Sequence, residues 1–589
     1  MKGPGALERW IIISLCVTLA LLPFESLLFA TSIGGVAITE LEIATDVTLL
    51  LWASLLWRER RLPSIPKPVL LLVAALIVVN IASASLAGPL AAPALRFVAR
   101  SITFWCLFLV MADLVRTPQT AGRLIACALT GAGISAAVGW LAILRGTSEG
   151  LLGFGRDFTV AGTLRLAGTF DYPNTAAMAW EALLLVGLPL VILPLRASTR
   201  AALVAVLLVI ASAMLLTFSR GAVLGAVSGL AVISVLAVRS RQRWPAFLAA
   251  GSAAVLVIAT IGLQLAVALP VARLTADGEN GFYGATYQVP AEISLPARTA
   301  TEVPVTLTNT GTATWSTDTQ TPFALGYHWL DVETGAVTVL DGVRTHLPAA
   351  VRPGETRSLD ARVEAPRSPG RYQLAWDVVR EGVTWFSEKG VPGGASTVVV
   401  GAAGTPGQAS AGSAGQGTGT PAGGSVVIWP DLLPVPQRTE LWSAALSMVA
   451  QQPLLGIGPG TYRLAYGQYL GWERWDERIH SNQLYLELAA TTGIVGLAVF
   501  LALAGVSMRP AARSLLARWS GPTGTLQTGK LQIWALQAGL IGAMVAFMVH
   551  GIVDYFLGFG PTGLLFWALL GMTLGLGLGS ATRPAGTAA

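Results

Sequence analysis

The 589-residue chain has little charge, little lysine, few histidines and three cysteines. Charged residues make up 12% of it, about half the share of an ordinary soluble domain. The deficit collects in long apolar runs, which marks membrane spans rather than disorder. Cys16, Cys106 and Cys127 lie in or beside those runs. Three is an odd number and their spacing suits no metal site, so neither a disulfide framework nor a metal is expected. No Walker loop, CxxC pair or HExxH motif occurs. Any reaction is therefore expected to use an activated substrate or a gradient, with no cofactor. The net charge of +6 does not point to nucleic acid, because most basic residues sit in short loops between apolar runs.

A helix needs roughly 20 apolar residues to cross the hydrocarbon core. Candidate spans fall near 10–30, 43–57, 68–88, 94–115, 121–144, 174–195, 201–218, 221–238, 245–270, 484–508, 531–550 and 560–580. The first run lacks a clear small-residue cleavage site and reads as a retained helix. Alternate loops carry the basic residues: Arg58, Arg60, Arg61 and Lys67; Arg116 and Arg123; Arg196 and Arg200; Arg239, Arg241 and Arg243; Arg509, Arg513, Arg518 and Lys530. Lys2, Arg9 and Arg583 fit the same side if both termini are cytoplasmic, as the positive-inside rule requires. The segment 271–483 is then extracytoplasmic. The expected fold is an α-helical multi-pass membrane protein of about twelve transmembrane helices with an inserted all-β sandwich. Its expected divisions are a membrane domain over 1–270, a sandwich over 284–400, a linker over 401–425, an outer catalytic segment over 426–483 and a second membrane domain over 484–589.

Between 284 and 400 the pattern changes to short alternating apolar and polar runs broken by Gly, Pro, Asn and Asp, such as "EVPVTLTNTG" and "GRYQLAWDVVREG". This is the signature of an antiparallel sandwich. "NTGTATW", "RPGE", "PGRYQLAWDV" and "VTWF" resemble the four-tryptophan immunoglobulin-like domain. Trp315, Trp329, Trp376 and Trp385 would be its tryptophans, read mainly as core residues. His328 and His346 read as ordinary surface or strand residues. The stretch that ends near Ser425 is dominated by Gly, Ser, Ala, Thr and Pro and reads as a flexible tether.

Short outer loops hold Arg145, Arg156, Arg165 and Arg220, against the positive-inside trend. Arginine's planar fork suits phosphate or carboxylate; interfacial snorkelling is the plainer reading. Arginine supplies 34 of the 38 basic residues, so the lack of lysine in these loops says little. Arg220 stands between two tightly joined spans, where an unused charge is expensive. His480 precedes the tenth span. His550 ends the eleventh, with Asp554 one turn on. A histidine at an interface either acts as a general base near neutral pH or caps a helix.

"RLAGTFDYPNTAAM" (165–178), "LLTFSRGAVLG" (215–225), "RTELWSAALSMVAQQPLLGIGPGTYRLAYGQY" (438–469) and "IHSNQLYLELAATTGIVGLAVFL" (479–501) occur in this order. The ordered set resembles the O-antigen ligase and polymerase superfamily of bacterial envelope enzymes. The resemblance implies a glycosyltransferase in the cytoplasmic (inner) membrane. Such an enzyme moves a glycan from an undecaprenyl-pyrophosphate carrier to an acceptor hydroxyl on a sugar or a protein, without metal. It also implies His480 as base, Arg220 at the departing pyrophosphate, and Arg165, Arg156, Asn174, Arg438 and Asn482 as substrate-binding residues. "GIGPG" (456–460) reads as a tight bend in preference to a ligand loop. Gln452 and Pro453 read as the end of a short interfacial helix that carries Trp442 and Met448.

The family pattern puts its histidine ten or eleven residues before a "GxxG". Counting back from "GIVG" (493–496) gives Gln483 and Asn482, and His480 stands two positions earlier. Either His480 takes the role through a local shift, or the base is absent. Two other classes compete with the enzyme. A transporter or flippase would show matching halves, and none is visible. A membrane-anchored scaffold would need only one span.

Overall fold

The computed structural model describes residues 5–24, 30–33, 36–145, 158–160, 163–266, 283–317, 322–332, 337–339, 342–366, 368–381, 384–387, 391–401, 436–472, 475–516 and 528–581. The chain is a multi-pass helical membrane protein with an inserted β domain. Among the described residues, ten helical segments are long and apolar enough to cross a membrane: Lys67–Ser85, Gly88–Leu114, Pro118–Arg145, Pro173–Ile192, Ala197–Leu216, Arg220–Arg239, Arg243–Leu265, Leu484–Leu516, Gly529–His550 and Gly560–Ser580. Two further helices, α1 (Ala6–Leu21) and α2 (Glu40–Glu59), pack on each other. The first has only 16 residues. It stops before Pro23, which cannot continue a helix. The second starts earlier than the apolar run, because Thr39 and Glu42 form a reciprocal capping box, which satisfies two free N–H groups.

The remaining helices are α3 (Lys67–Ser85), α4 (Ala91–Leu114), α5 (Pro118–Arg145), α6 (Pro173–Gly187), α7 (Ala197–Leu216), α8 (Arg220–Arg239), α9 (Arg243–Ala266), α10 (Arg438–Gln451), α11 (Tyr462–Tyr469), α12 (Leu484–Leu516), α13 (Thr528–His550) and α14 (Gly560–Ala581). The centre of the bundle is α6, α13 and α14, whose side chains are mostly buried. By contrast α9 leaves Phe247, Val255, Ile258 and Leu265 exposed, as a lipid-facing helix does. On α8, Gly221, Gly225 and Gly229 recur every fourth residue. An added Cβ at these positions would meet the His550 ring, Glu181 and the Gly542 carbonyl respectively. This small-residue stripe lets α8 press onto α6 and α13.

Helix α12 is broken at Gly493, which has φ +70°. The "GIGPG" bend fills the break: the N–H groups of Ile457 and Gly458 donate to the carbonyls of Ala490 and Thr491 at 3.0 Å each. All three of its glycines have positive φ, so it is the bend the sequence suggested.

The inserted β region has two sheets over one core. One runs β11 (Thr356–Glu364), β7 (Ala300–Asn309), β5 (Ala285–Gln288). The other runs β10 (Thr345–His346), β8 (Phe323–Asp331), β12 (Gly370–Arg380), β14 (Gly394–Gly401), β6 (Glu292–Pro296), with β9 (Val337–Val339) beside β8 and β13 (Thr384–Trp385) beside β12; β1 (Ala30–Ile33) with β2 (Val36–Thr39), and β3 (Phe158–Val160) with β4 (Thr163–Arg165), form separate two-stranded sheets. The pairing of β14 with β6 is parallel, so the sandwich is not antiparallel throughout as expected. A parallel pair needs a long connection between its strands, and β6 and β14 come from opposite ends of the region. Trp315, Trp329 and Trp376 are fully buried. Trp385 is only half-buried and packs 4.3 Å from the His328 ring. His328 is itself buried within β8, so it is a strand residue but not a surface one. The linker expected at 401–425 lies, after 401, outside the described residues.

Candidate functional site

Helices α6, α8, α12 and α14 all begin at one end of the bundle, and α13 ends there. Helix N-termini carry partial positive charge and free N–H groups. Two adjoining cavities open among these ends. The larger is about 810 Å³ and is lined by Arg165, Asn174, Asp476, Arg478, His480, Asn482, Asp554, Tyr555, Phe559 and Thr562, among others. The smaller is about 300 Å³ and is lined by Arg165, Asn174, Ser219, Arg220, Gly221, Arg438, His550 and Asp554, among others. Arg165, Asn174 and Asp554 border both.

In the larger cavity His480 pairs with Glu487. Its Nδ1 lies 2.5 Å from Oε1 of Glu487, and the side chains are 12% and 1% exposed. The other carboxylate oxygen accepts from the Ser481 N–H at 2.9 Å and the Ser481 hydroxyl at 2.8 Å. A carboxylate held this firmly fixes the orientation of the imidazole. Nδ1 is thereby committed, which leaves Nε2 for other chemistry. The rings of Tyr555 and Phe559 flank His480, at 4.8 and 5.4 Å. Asn482 adopts φ +53°, a conformation Asn tolerates better than most residues. Asp476 and Arg478 form a two-pronged pair with contacts of 2.8 Å; the hydrogen bond from Arg478 holds the Asp476 carboxyl below its usual range.

Arg165 stitches the two cavities together. Its Nε donates to the Thr217 carbonyl and its Nη2 to the Asn174 side-chain oxygen, both at 2.8 Å. The turn at Phe218, with φ +54°, and the Ser219 cap on Ala222 N–H then start α8 at Arg220. Arg220 and Arg438 are exposed residues at helix starts. The half-buried Asp554 faces them. Burial raises its carboxyl above the ordinary range; the Tyr555 N–H, Arg438, the Asn174 amide and His480 oppose that rise.

The structure thus brings His480, Arg165, Asn174 and Asn482 to one cavity, and Arg220 and Arg438 to its neighbour. Arg145 ends α5 in an exposed position and borders neither cavity. Arg156 lies outside the described residues. His550 is not an interfacial residue: it is 1% exposed and its Nδ1 lies 3.0 Å from Oε2 of Glu181 on α6. The bare backbone of Gly221 and Gly225 gives the pair its room. Sequence reasoning missed Glu487, Glu181 and the central place of Asp554. The available clue was an acid inside an otherwise apolar helix, which is costly unless partnered.

Residues 413–501 match the family model described as O-antigen ligase. No curated protein matches the chain. The resemblance drawn from the motifs is therefore supported over that segment, which includes α10, α11, the His480–Glu487 pair and the first half of α12.

Proposed function

We propose that the chain is a lipid-linked oligosaccharide glycosyltransferase of the O-antigen ligase or polymerase type. It moves a glycan from an undecaprenyl-pyrophosphate carrier to an acceptor hydroxyl on the outer face of the cytoplasmic membrane. The observation that carries this reading is the pairing of the two cavities: a carboxylate-oriented histidine in one, an arginine cluster at helix N-termini in the other, and a shared wall between them. The acceptor lies in the larger cavity and gives its hydroxyl proton to Nε2 of His480 as its oxygen attacks the anomeric carbon. The bond from that carbon to the phosphate oxygen breaks. Arg220, Arg165 and Arg438 take up the charge that develops on the departing pyrophosphate. Asn174 and Asn482 orient the sugar at the junction. With both termini cytoplasmic, the two cavities open on the outer face, where the basic-loop pattern places the β insert as well. We read that insert as immunoglobulin-like.

The test is transfer by the purified full-length chain in vesicles, with an undecaprenyl-pyrophosphate oligosaccharide as donor and envelope extract as acceptor. The parent should transfer glycan, and inserted, folded His480→Ala and Arg220→Ala should not. A parent inactive across donors and acceptors of its own host would overturn the reading.

A further inference from the structure

The smaller cavity has a floor that takes no part in the reaction proposed above. His550, the last residue of α13, lines it beside Gly221. A Cβ on Gly221 would stand 2.5 Å from Nε2 of His550, so that nitrogen lies against the first turn of α8, next to Arg220. On the other side of the ring, Nδ1 meets Oε2 of Glu181 at 3.0 Å. Both side chains are essentially inaccessible, at 1% and 0% exposure. The second carboxyl oxygen of Glu181, Oε1, is buried with no hydrogen-bond partner among the described residues. It rests where Gly225 lacks a side chain.

An ionised carboxylate oxygen left unpaired inside a bilayer is far costlier than a carbonyl oxygen left unpaired. A neutral pair avoids that cost: with the proton on Oε2 and donated to Nδ1, Oε1 is the carbonyl oxygen and the tautomer of His550 carries its hydrogen on Nε2, toward α8. The charged groups that face this floor are Arg220 on α8, Arg438 on α10, Arg165 before α6 and Asp554 after α13. An anion held by the arginines makes a cationic His550 favourable. Movement of the one proton from Oε2 to Nδ1 provides that cation without any change in the net charge of the buried pair.

Building on the anion-binding role of this cavity proposed above, we propose that His550 and Glu181 form a proton-sharing pair that turns His550 into a cationic contact for pyrophosphate only when pyrophosphate is bound. No bond other than that to the shared proton is made or broken. The pair spares the membrane interior a permanent extra charge when the donor is absent, and adds a charge-assisted hydrogen bond when it is present.

The experiment is infrared difference spectroscopy of the full-length chain in lipid nanodiscs, with and without inorganic pyrophosphate, alongside binding isotherms. In the parent, pyrophosphate should erase a protonated-carboxyl band and raise a carboxylate band, and both changes should be missing from Glu181→Gln. That variant, which keeps a neutral partner for Nδ1 but cannot yield a proton, should bind pyrophosphate roughly 10- to 100-fold more weakly, the worth of one charge-assisted hydrogen bond. Arg220→Ala and Arg438→Ala serve as controls. If they weaken binding while the parent spectrum keeps its protonated carboxyl, or while Glu181→Gln binds like the parent, the proton-sharing pair is wrong and the anion site stands. If neither arginine variant weakens binding, or the parent does not bind pyrophosphate, the anion site itself fails and the pair with it. Should Glu181→Gln fold poorly, Asp554→Asn takes its place: the band change should persist in that variant, and its loss there would overturn the pair.

Discussion

Two histidine–glutamate pairs occur among the described residues, and they differ in nearly everything but composition. His480 and Glu487 are seven residues apart, at the mouth of a helix, and His480 lines a cavity of about 810 Å³ while Glu487 is buried behind it. His550 and Glu181 are 369 residues apart, joined across α13 and α6 and sealed by the glycines of α8. In the first, the carboxylate is satisfied by the ring, a backbone N–H and a hydroxyl, so it steers a base. In the second, one carboxyl oxygen has no partner among the described residues, so the pair holds a proton rather than a charge. The same two side chains do different work because the hydrogen bonds around the carboxyl differ.

The sharpest way to break this comparison is to remove the base. His480→Ala should lower glycan transfer by about 10²- to 10⁴-fold, measured in vesicles with donor in excess. Glu487→Gln keeps the shape and loses the charge that orients the ring, and should fall by a similar factor; a Glu487→Gln enzyme with parental turnover would show that the ring needs no orienting carboxylate. Arg220→Ala comes next, with a loss of about 10²- to 10³-fold in turnover. A change confined to KM for the donor would recast Arg220 as a binding residue only.

The β insert supplies a contrast between regions. Trp376→Ala removes a fully buried ring and should cost the sandwich about 3–5 kcal/mol. Calorimetry should show that loss in the transition of the insert alone, with the helical transition unmoved. Gly493→Ala acts in the bundle: its Cβ would collide with the Leu454 carbonyl, and the backbone conformation there, φ +70° with ψ 178°, costs any residue but glycine about 1–3 kcal/mol. Lower helical thermal stability is expected, together with lost transfer, because Glu487 stands on the helix segment before that break.

The smallest effect concerns Asp554. Burial raises its folded-state carboxyl value above that of the unfolded chain, so the folded state resists its ionisation. A raised carboxyl leaves stability whole below the unfolded value near ~4 and loses it as pH climbs through the folded value. Asp554→Asn should therefore melt at a higher temperature than the parent at pH 8 and show no such advantage at pH 4. Equal melting curves at both pH values would mean that Arg438 and Asn174 compensate the burial in full.

Much of this was legible in the sequence. Apolar runs longer than about 20 residues mark the spans because lipid leaves a helix no alternative partner for its backbone. Alternation with turn residues marks the strands for an equally local reason. The ordered motifs marked the family, and the triple glycine of "GIGPG" marked a bend, because positive φ is a property of single residues. The tertiary structure alone decided which polar residues meet. Glu487 reaches His480 because Ser481 and the positive-φ Asn482 turn the chain back over the first turn of α12. Glu181 reaches His550 only because a glycine stripe lets three helices close together. Asp554 gains its place between two cavities from helix ends that are hundreds of residues apart in the chain. Helices and strands are set by periodicity within a window of neighbours, whereas a site is set by contacts between windows, and those depend on packing that no single stretch of sequence encodes.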